Sequence, residues 1–275
     1  MAKRRSKRTR KSQQKGQLVS KRQLANLIDQ ATDQMIRADY PGVIQTCQHI
    51  LRYTPPNSKE RGNALEYLAG AYSMLNQFEE AYQTLSQLLE INPHQAYLWY
   101  NRGLTGRYTM RLVQAGRDFE KAVELETDPQ QRQKFVEILA QTREMAESER
   151  ALRGPDFTLE QLQEQQELFD QGIQSMHRQK WAEAEQTFRR VIEMGECLPQ
   201  PRGNLGLALL MQKKYDEAEA AFKRALEIDP DYDLAQRNLA ILPLVRRSGK
   251  TPDLALREPF VDANVSLVMQ MEDDD

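Results

Sequence analysis

Histidine, cysteine and paired carboxylates supply most protein chemistry, and this 275-residue chain arranges few of them for it. His49, His94 and His177 are its three histidines, and none has a second histidine or a cysteine at zinc-ligand spacing. Cys47 and Cys197 are its two cysteines, a usage that fits a reducing cytoplasmic compartment rather than a disulfide framework. Cys47 falls in an apolar phase, so its thiol is expected to be buried and inert. Gly203–Asn204–Leu205–Gly206 lacks the preceding strand and further glycine of a phosphate-binding loop. The acidic pairs Glu79–Glu80 and Asp216–Glu217 stand at helix starts, where carboxylates favour the helix dipole. No catalytic residue, metal-ligand set or cofactor is expected, and the chain reads as a non-enzyme.

Two other groups of side chains are suited to binding. Lys3, Arg4, Arg5, Lys7, Arg8, Arg10 and Lys11 form a basic run without an aromatic for base stacking, so nucleic acid would be held by its phosphates and without sequence preference. Tyr97, Tyr100 and Tyr108 form an aromatic cluster, and tyrosine anchors interfaces at low rotamer entropy.

The elements that must carry these residues repeat. Pro199–Tyr232 reads as two short amphipathic helices joined by a polar Lys213–Lys214 turn and closed by Asp229–Pro230–Asp231. Shifted back 34 residues it falls on Gln165–Leu198, with Gly172 on Gly206, Trp181 on Tyr215, Ala184 on Ala218 and Phe188 on Phe222. The same phase runs through residues 96–129 (Trp99, Gly103, Ala115, Phe119, Ala122), 62–95 (Leu65, Ala69, Ala81, Leu85, Leu88) and a degenerate unit at 24–57. Four extra residues, Ser58–Arg61, separate the first two. Gly106 and Thr127 depart from the pattern, which predicts a loose or kinked segment from Thr105 to Val113.

These residues resemble the tetratricopeptide repeat: Trp, Leu-Gly and Tyr in a first helix, then Ala, Phe, Ala and a terminal Pro, as in Trp99, Leu205–Gly206, Tyr72, Ala218, Phe222, Ala225 and Pro230. The resemblance covers five repeats. It implies an all-α, right-handed helix–turn–helix solenoid whose first helices line a concave groove that binds a partner protein. Carried over by phase, that groove takes Tyr67 and Met74 from the second repeat, and Tyr97, Tyr100, Asn101, Leu104, Arg107 and Tyr108 from the third. The fourth supplies Phe169, Ile173 and His177, the fifth Asn204, Leu207 and Met211, and the closing helix Asn238. The family's clamp for a terminal carboxylate is disfavoured, because Tyr100, Leu104 and Gly203 stand where it needs Lys or Asn. An apolar or aromatic partner segment fits better.

Between and beyond the repeats the organisation changes. Residues 1–22 carry ten Lys or Arg and no acid, leaving 28 basic against 40 acidic residues downstream, and read as a disordered arm. Residues 23–129 read as a three-repeat block and 130–153 as one long amphipathic helix. Residues 157–245 read as two repeats plus a closing helix that breaks near Pro243, with Thr158 capping its first helix through Gln161. Residues 246–275 read as an irregular acidic tail. No apolar run approaches the ~20 residues of a membrane span. The chain is thus expected to be a cytoplasmic scaffold, or alternatively a nucleic-acid- or ribosome-associated factor acting through its arm.

Overall fold

The computed structural model describes residues 20–249, and every regular element among them is an α-helix. In chain order these are α1 (Lys21–Ile36), α2 (Tyr40–Leu51), α3 (Lys59–Met74), α4 (Phe78–Ile91), α5 (Ala96–Tyr108) and α6 (Leu112–Leu125). They continue with α7 (Pro129–Ala151), α8 (Leu159–His177), α9 (Trp181–Met194), α10 (Gln200–Met211), α11 (Tyr215–Ile228) and α12 (Asp233–Ser248). None of the described helices is long and apolar enough to cross a membrane. The basic run Lys3–Lys11 and the acidic tail from 250 onward lie outside the described residues. The described part divides into two compact units, one ending at Leu75 and the other starting at Asn76.

Capping side chains set several helix starts. Ser20 accepts from the Gln23 backbone while the Gln23 side chain accepts from Ser20, so the first helix includes Lys21 and Arg22, which composition groups with the arm. Thr158 and Gln161 form the expected reciprocal pair at α8. Ser58 caps α3, so the four inserted residues become about one extra helical turn and leave the helix phase unchanged.

The turns from first to second helix share one backbone device. Ala38, Asn76, Met110, Gln179 and Lys213 all have φ between 56° and 62°. Around four of them the hydrogen bonds are those of a Schellman stop, as where Lys213 N–H donates to Leu210 O and Lys214 N–H to Leu209 O. The predicted looseness between Thr105 and Val113 is absent: Arg111 N–H donates to Gly106 O at 2.8 Å and Met110 makes the standard turn. Packing is close there, since a Cβ on Gly106 would stand 3.2 Å from that of Ala115.

The core follows from small residues facing large rings. A Cβ on Gly103, Gly172 or Gly206 would meet the ring of Phe119, Phe188 or Phe222 at 2.7, 2.7 and 2.5 Å. Each phenylalanine therefore packs onto the glycine of its own repeat, as well as against its neighbours. All three rings are fully buried, and deleting one would cost ~3–5 kcal/mol. In the first unit Ala31, Val43, Cys47, Ile50, Ala64, Leu68 and Ala71 make a separate core. α12 runs through Pro243 instead of breaking there. Proline removes one backbone bond, but Leu242 and Val245 on either side are anchored in the core of α8–α12.

Candidate functional site

In the second unit the third repeat carries six of the candidate groove residues, all on α5. Tyr97 is 40% exposed and Asn101, one turn on, is exposed as well. Tyr100 instead stacks on Phe135 of α7 with ring centroids 4.4 Å apart and leans on Phe119. Leu104 packs into the cluster of Ala115, Phe119 and Leu139. Arg107 is nearly buried, with Nη2 3.3 Å from Met145 Sδ. The long helix α7 thus lies over the face that carries residues 100, 104 and 107. Tyr108 turns the other way and stacks on Phe78 of α4 at 4.1 Å. The three tyrosines do not form one surface: Tyr100 packs on α7, Tyr108 packs on α4, and Tyr97 is partly exposed.

The candidates on α8 to α12 are largely interior. Phe169 sits edge-on to Phe188 at 5.5 Å, and Leu207 is in the same core with Ile173 at its margin. Asn204 is fully buried with neither amide atom hydrogen-bonded among the described residues. Asn238, also buried, donates to Leu234 O at 2.7 Å. Met211 is half-buried and His177 exposed. Within the first unit Tyr67 is half-buried, its hydroxyl 2.9 Å from Thr32 Oγ1, whereas Met74 is 60% exposed. A Cβ on Gly70 would lie 3.5 Å from Met35 Cε, so Tyr67, Gly70 and Met74 present one helix face beside Met35.

A polar cluster that spacing did not reveal joins α4, α6 and α8. Arg102 forms a bidentate pair with the fully buried Asp118, both bonds 2.7 Å, and its guanidinium lies over the Trp99 and Tyr82 rings. Arg111 lies 4.7 Å above the centre of the Tyr82 ring and bridges Glu79 at 2.8 Å and Asp170 of α8 at 2.6 Å. Burial, with Glu79 and Glu167 nearby, pushes the Asp170 carboxyl up to about 6 against the pull of Arg111. One signal was present in the sequence. Arg102 and Asp118 stand sixteen residues apart in a single repeat, at the two phases where the last repeat has Leu205 and Ala221. Arg111, Glu79 and Asp170 come from three different helical segments, and no local pattern relates them.

A second buried network fixes the corner after α7. Glu149 and Arg153 are both buried and paired at 3.1 Å. Arg153 Nε donates to Gln165 Oε1 at 2.6 Å, and the Gln165 amide donates to Val191 O and Gly195 O at 3.1 and 3.0 Å. Gly154 turns the chain there with φ 105°. Among the described residues no group of three or more His, Cys, Asp or Glu could hold a metal ion. Burial pushes the Cys47 thiol up to about 12, which leaves it protonated at neutral pH.

Two profiles described as Tetratricopeptide repeat match the chain, over residues 200–232 and 63–94. Among solved structures it is similar to the TPR domain of P58(IPK), at 11% identity over 82% of this chain and 65% of that one, with a TM-score of 0.45. It is similar as well to a tetratricopeptide repeat protein from Parabacteroides merdae, at 20% identity over 80% and 84% of the two chains, TM-score 0.40. A third likeness is to the TPR2AB domain of yeast Sti1 in its complex with pHSP90, at 15% identity over 83% and 86%, TM-score 0.38. No curated protein matches the chain.

Proposed function

We propose that this tetratricopeptide-repeat protein is a non-catalytic scaffold, holding an apolar or aromatic segment of a partner protein on the open faces of its first helices. The observation that carries this is the accessibility of side chains suited to anchoring: Tyr97 with Asn101 on α5, and Met74 with Tyr67 on α3. Each pair lies on one helix face, and each unit offers its own. A cytoplasmic setting belongs to the same reading, and Cys47 and Cys197, which are not joined in a disulfide, support it.

The experiment places a photo-crosslinking residue at Tyr97, at Met74 and, as a control, at the exposed Glu147 of α7 in the full chain. A partner captured from position 97 or 74 but not from 147, and lost with Asn101→Ala or Tyr67→Ser, is the expected result. Equal capture at all three positions refutes the assignment.

A second reading keeps the basic run as a phosphate-binding arm, favoured by the ten Lys or Arg and absence of acid within residues 1–22. In that reading the repeats recruit a protein to a nucleic acid that the arm holds without sequence preference.

A further inference from the structure

Between α4, the start of α6 and α8 lies an open cavity of about 590 Å3, adjoined by a smaller one of about 110 Å3. Tyr82, Arg111, Glu167 and Asp170 line both. The larger also reaches Glu79, His177 and Arg178. Its size is within the roughly 300–1,000 Å3 of small-ligand sites. α4 and α6 are the second helices of their repeats and α8 is the first helix of the fourth, whose candidate His177 reaches the larger cavity; Tyr97 is not among the lining residues.

Three carboxylates, Glu79, Glu167 and Asp170, meet here against two arginines, Arg111 and Arg178. Arg111 is shared by Glu79 and Asp170. Glu167 is exposed, and the side chain that donates to it is the neutral Gln163 amide, at 2.7 Å. Burial raises the Asp170 carboxyl first, and the nearby Glu79 and Glu167 add to it against the pull of Arg111.

An independent feature points into the smaller cavity. Gln166, only 7% exposed, lines it, and its buried Nε2 has no hydrogen-bond acceptor among the described residues. A buried amide donor without an acceptor is costly, and a ligand carbonyl would relieve it.

We infer that this cavity binds a basic side chain, lysine or arginine, of a partner peptide. The cation lies against Asp170 and Glu167, and a carbonyl of the same peptide accepts from Gln166 Nε2. Free anions would meet three carboxylates, and an apolar side chain would satisfy neither the charge nor the amide.

The test titrates the full chain with N-acetyl-arginine amide and with its uncharged analogue N-acetyl-norleucine amide, followed by NMR through the Gln166 side-chain amide. The arginine compound should bind saturably and shift that resonance, with the norleucine compound at least about tenfold weaker. Raising salt from about 50 to about 500 mM should weaken binding, because the Debye length shrinks severalfold. Glu167→Gln should lower affinity at least about fivefold. That residue is exposed and outside the core, so the variant keeps its fold and reads binding alone. Asp170→Asn, which also loses the Arg111 pair, is compared alongside with its melting temperature. No saturable binding, equal binding of the two compounds, an unchanged Glu167→Gln, or inorganic phosphate bound in place of arginine would overturn the proposal. None of these outcomes touches the photo-crosslinking result at Tyr97, so the two readings fail separately.

Discussion

Asp170 shows how a single side chain on this protein answers to several neighbours at once. Its ion pair with Arg111 favours the carboxylate, while burial, Glu79 and Glu167 favour the acid, and the second group wins. The folded chain therefore holds this proton more tightly than the unfolded chain, whose aspartates titrate near ~3.9. Its contribution to stability is largest below that value and is lost as pH rises toward about 6. Asp170→Asn removes this dependence. The variant should gain in melting temperature relative to the parent as pH is raised from about 4 to about 6.5, and the gain should then level off. A difference that stays constant across that range would contradict the raised carboxyl. Glu185 has the opposite slope: despite some burial, hydrogen bonds from Lys214, Arg189 and Gln212 hold its carboxyl down to about 2, so its stabilisation is present above the unfolded value of ~4.3 and is lost as pH falls from there toward about 2. At this scale the sequence told the two kinds of position apart unevenly. The core roles of Gly206 and Phe222 were readable, because both residues recur at a fixed period. The Asp170–Arg111 contact was not, because its partners lie 59 residues apart with no periodic relation.

Among the elements, the turns inside each repeat combine a regular geometry with irregular chemistry. Glycine is the usual residue for a left-handed helix stop, yet Ala38, Met110, Gln179 and Lys213 fill that place here. For such residues the left-handed conformation costs ~1–2 kcal/mol, while glycine's extra freedom in the unfolded chain costs ~0.5–1 kcal/mol. Gln179 and Lys213 are exposed, so nothing else is lost by replacing them. Gln179→Gly and Lys213→Gly should each stabilise by up to ~1 kcal/mol, raising Tm by ~2–4 °C in a unit of this size. Lower melting temperatures for both would mean that these turns adopt another conformation in solution. Met110 is excluded from the comparison, since its side chain is buried with Leu112 and Ala146. The long helix α7 is the other instructive element. Its length and its start after Asp128 follow from spacing and capping, but its placement over Tyr100, Leu104 and Arg107 does not. A helix pattern shows which face is apolar and leaves open which neighbour covers it.

For the whole molecule, the strongest asymmetry is electrostatic. The net charge of −2 conceals a basic start and an acidic remainder, and fields of this kind act on association rather than on fold. If the arm holds phosphates, the full chain should bind mixed-sequence RNA with an affinity that falls steeply with salt, and removing residues 1–19 should abolish the binding. Retained or salt-independent binding after truncation would exclude the arm as the contact. Truncation there leaves the Ser20–Gln23 cap of α1 intact.

The amino-acid sequence by itself determined the class of structure, the phase of the repeats, the Thr158 cap and the small and large core positions of the repeats. These depend on side-chain periodicity, on capping chemistry and on the volume available where two helices cross, all of which are local or recur at a fixed spacing. Tertiary structure alone decided that α12 continues through Pro243, that the Thr105–Val113 segment closes normally, and that α7 and α4 claim two of the three tyrosines. It alone brought Glu79, Arg111, Gln166, Glu167 and Asp170 to one cavity. Those outcomes depend on which surfaces meet after the helices have formed, and a meeting of non-repeating residues from separate helices leaves no period in the chain.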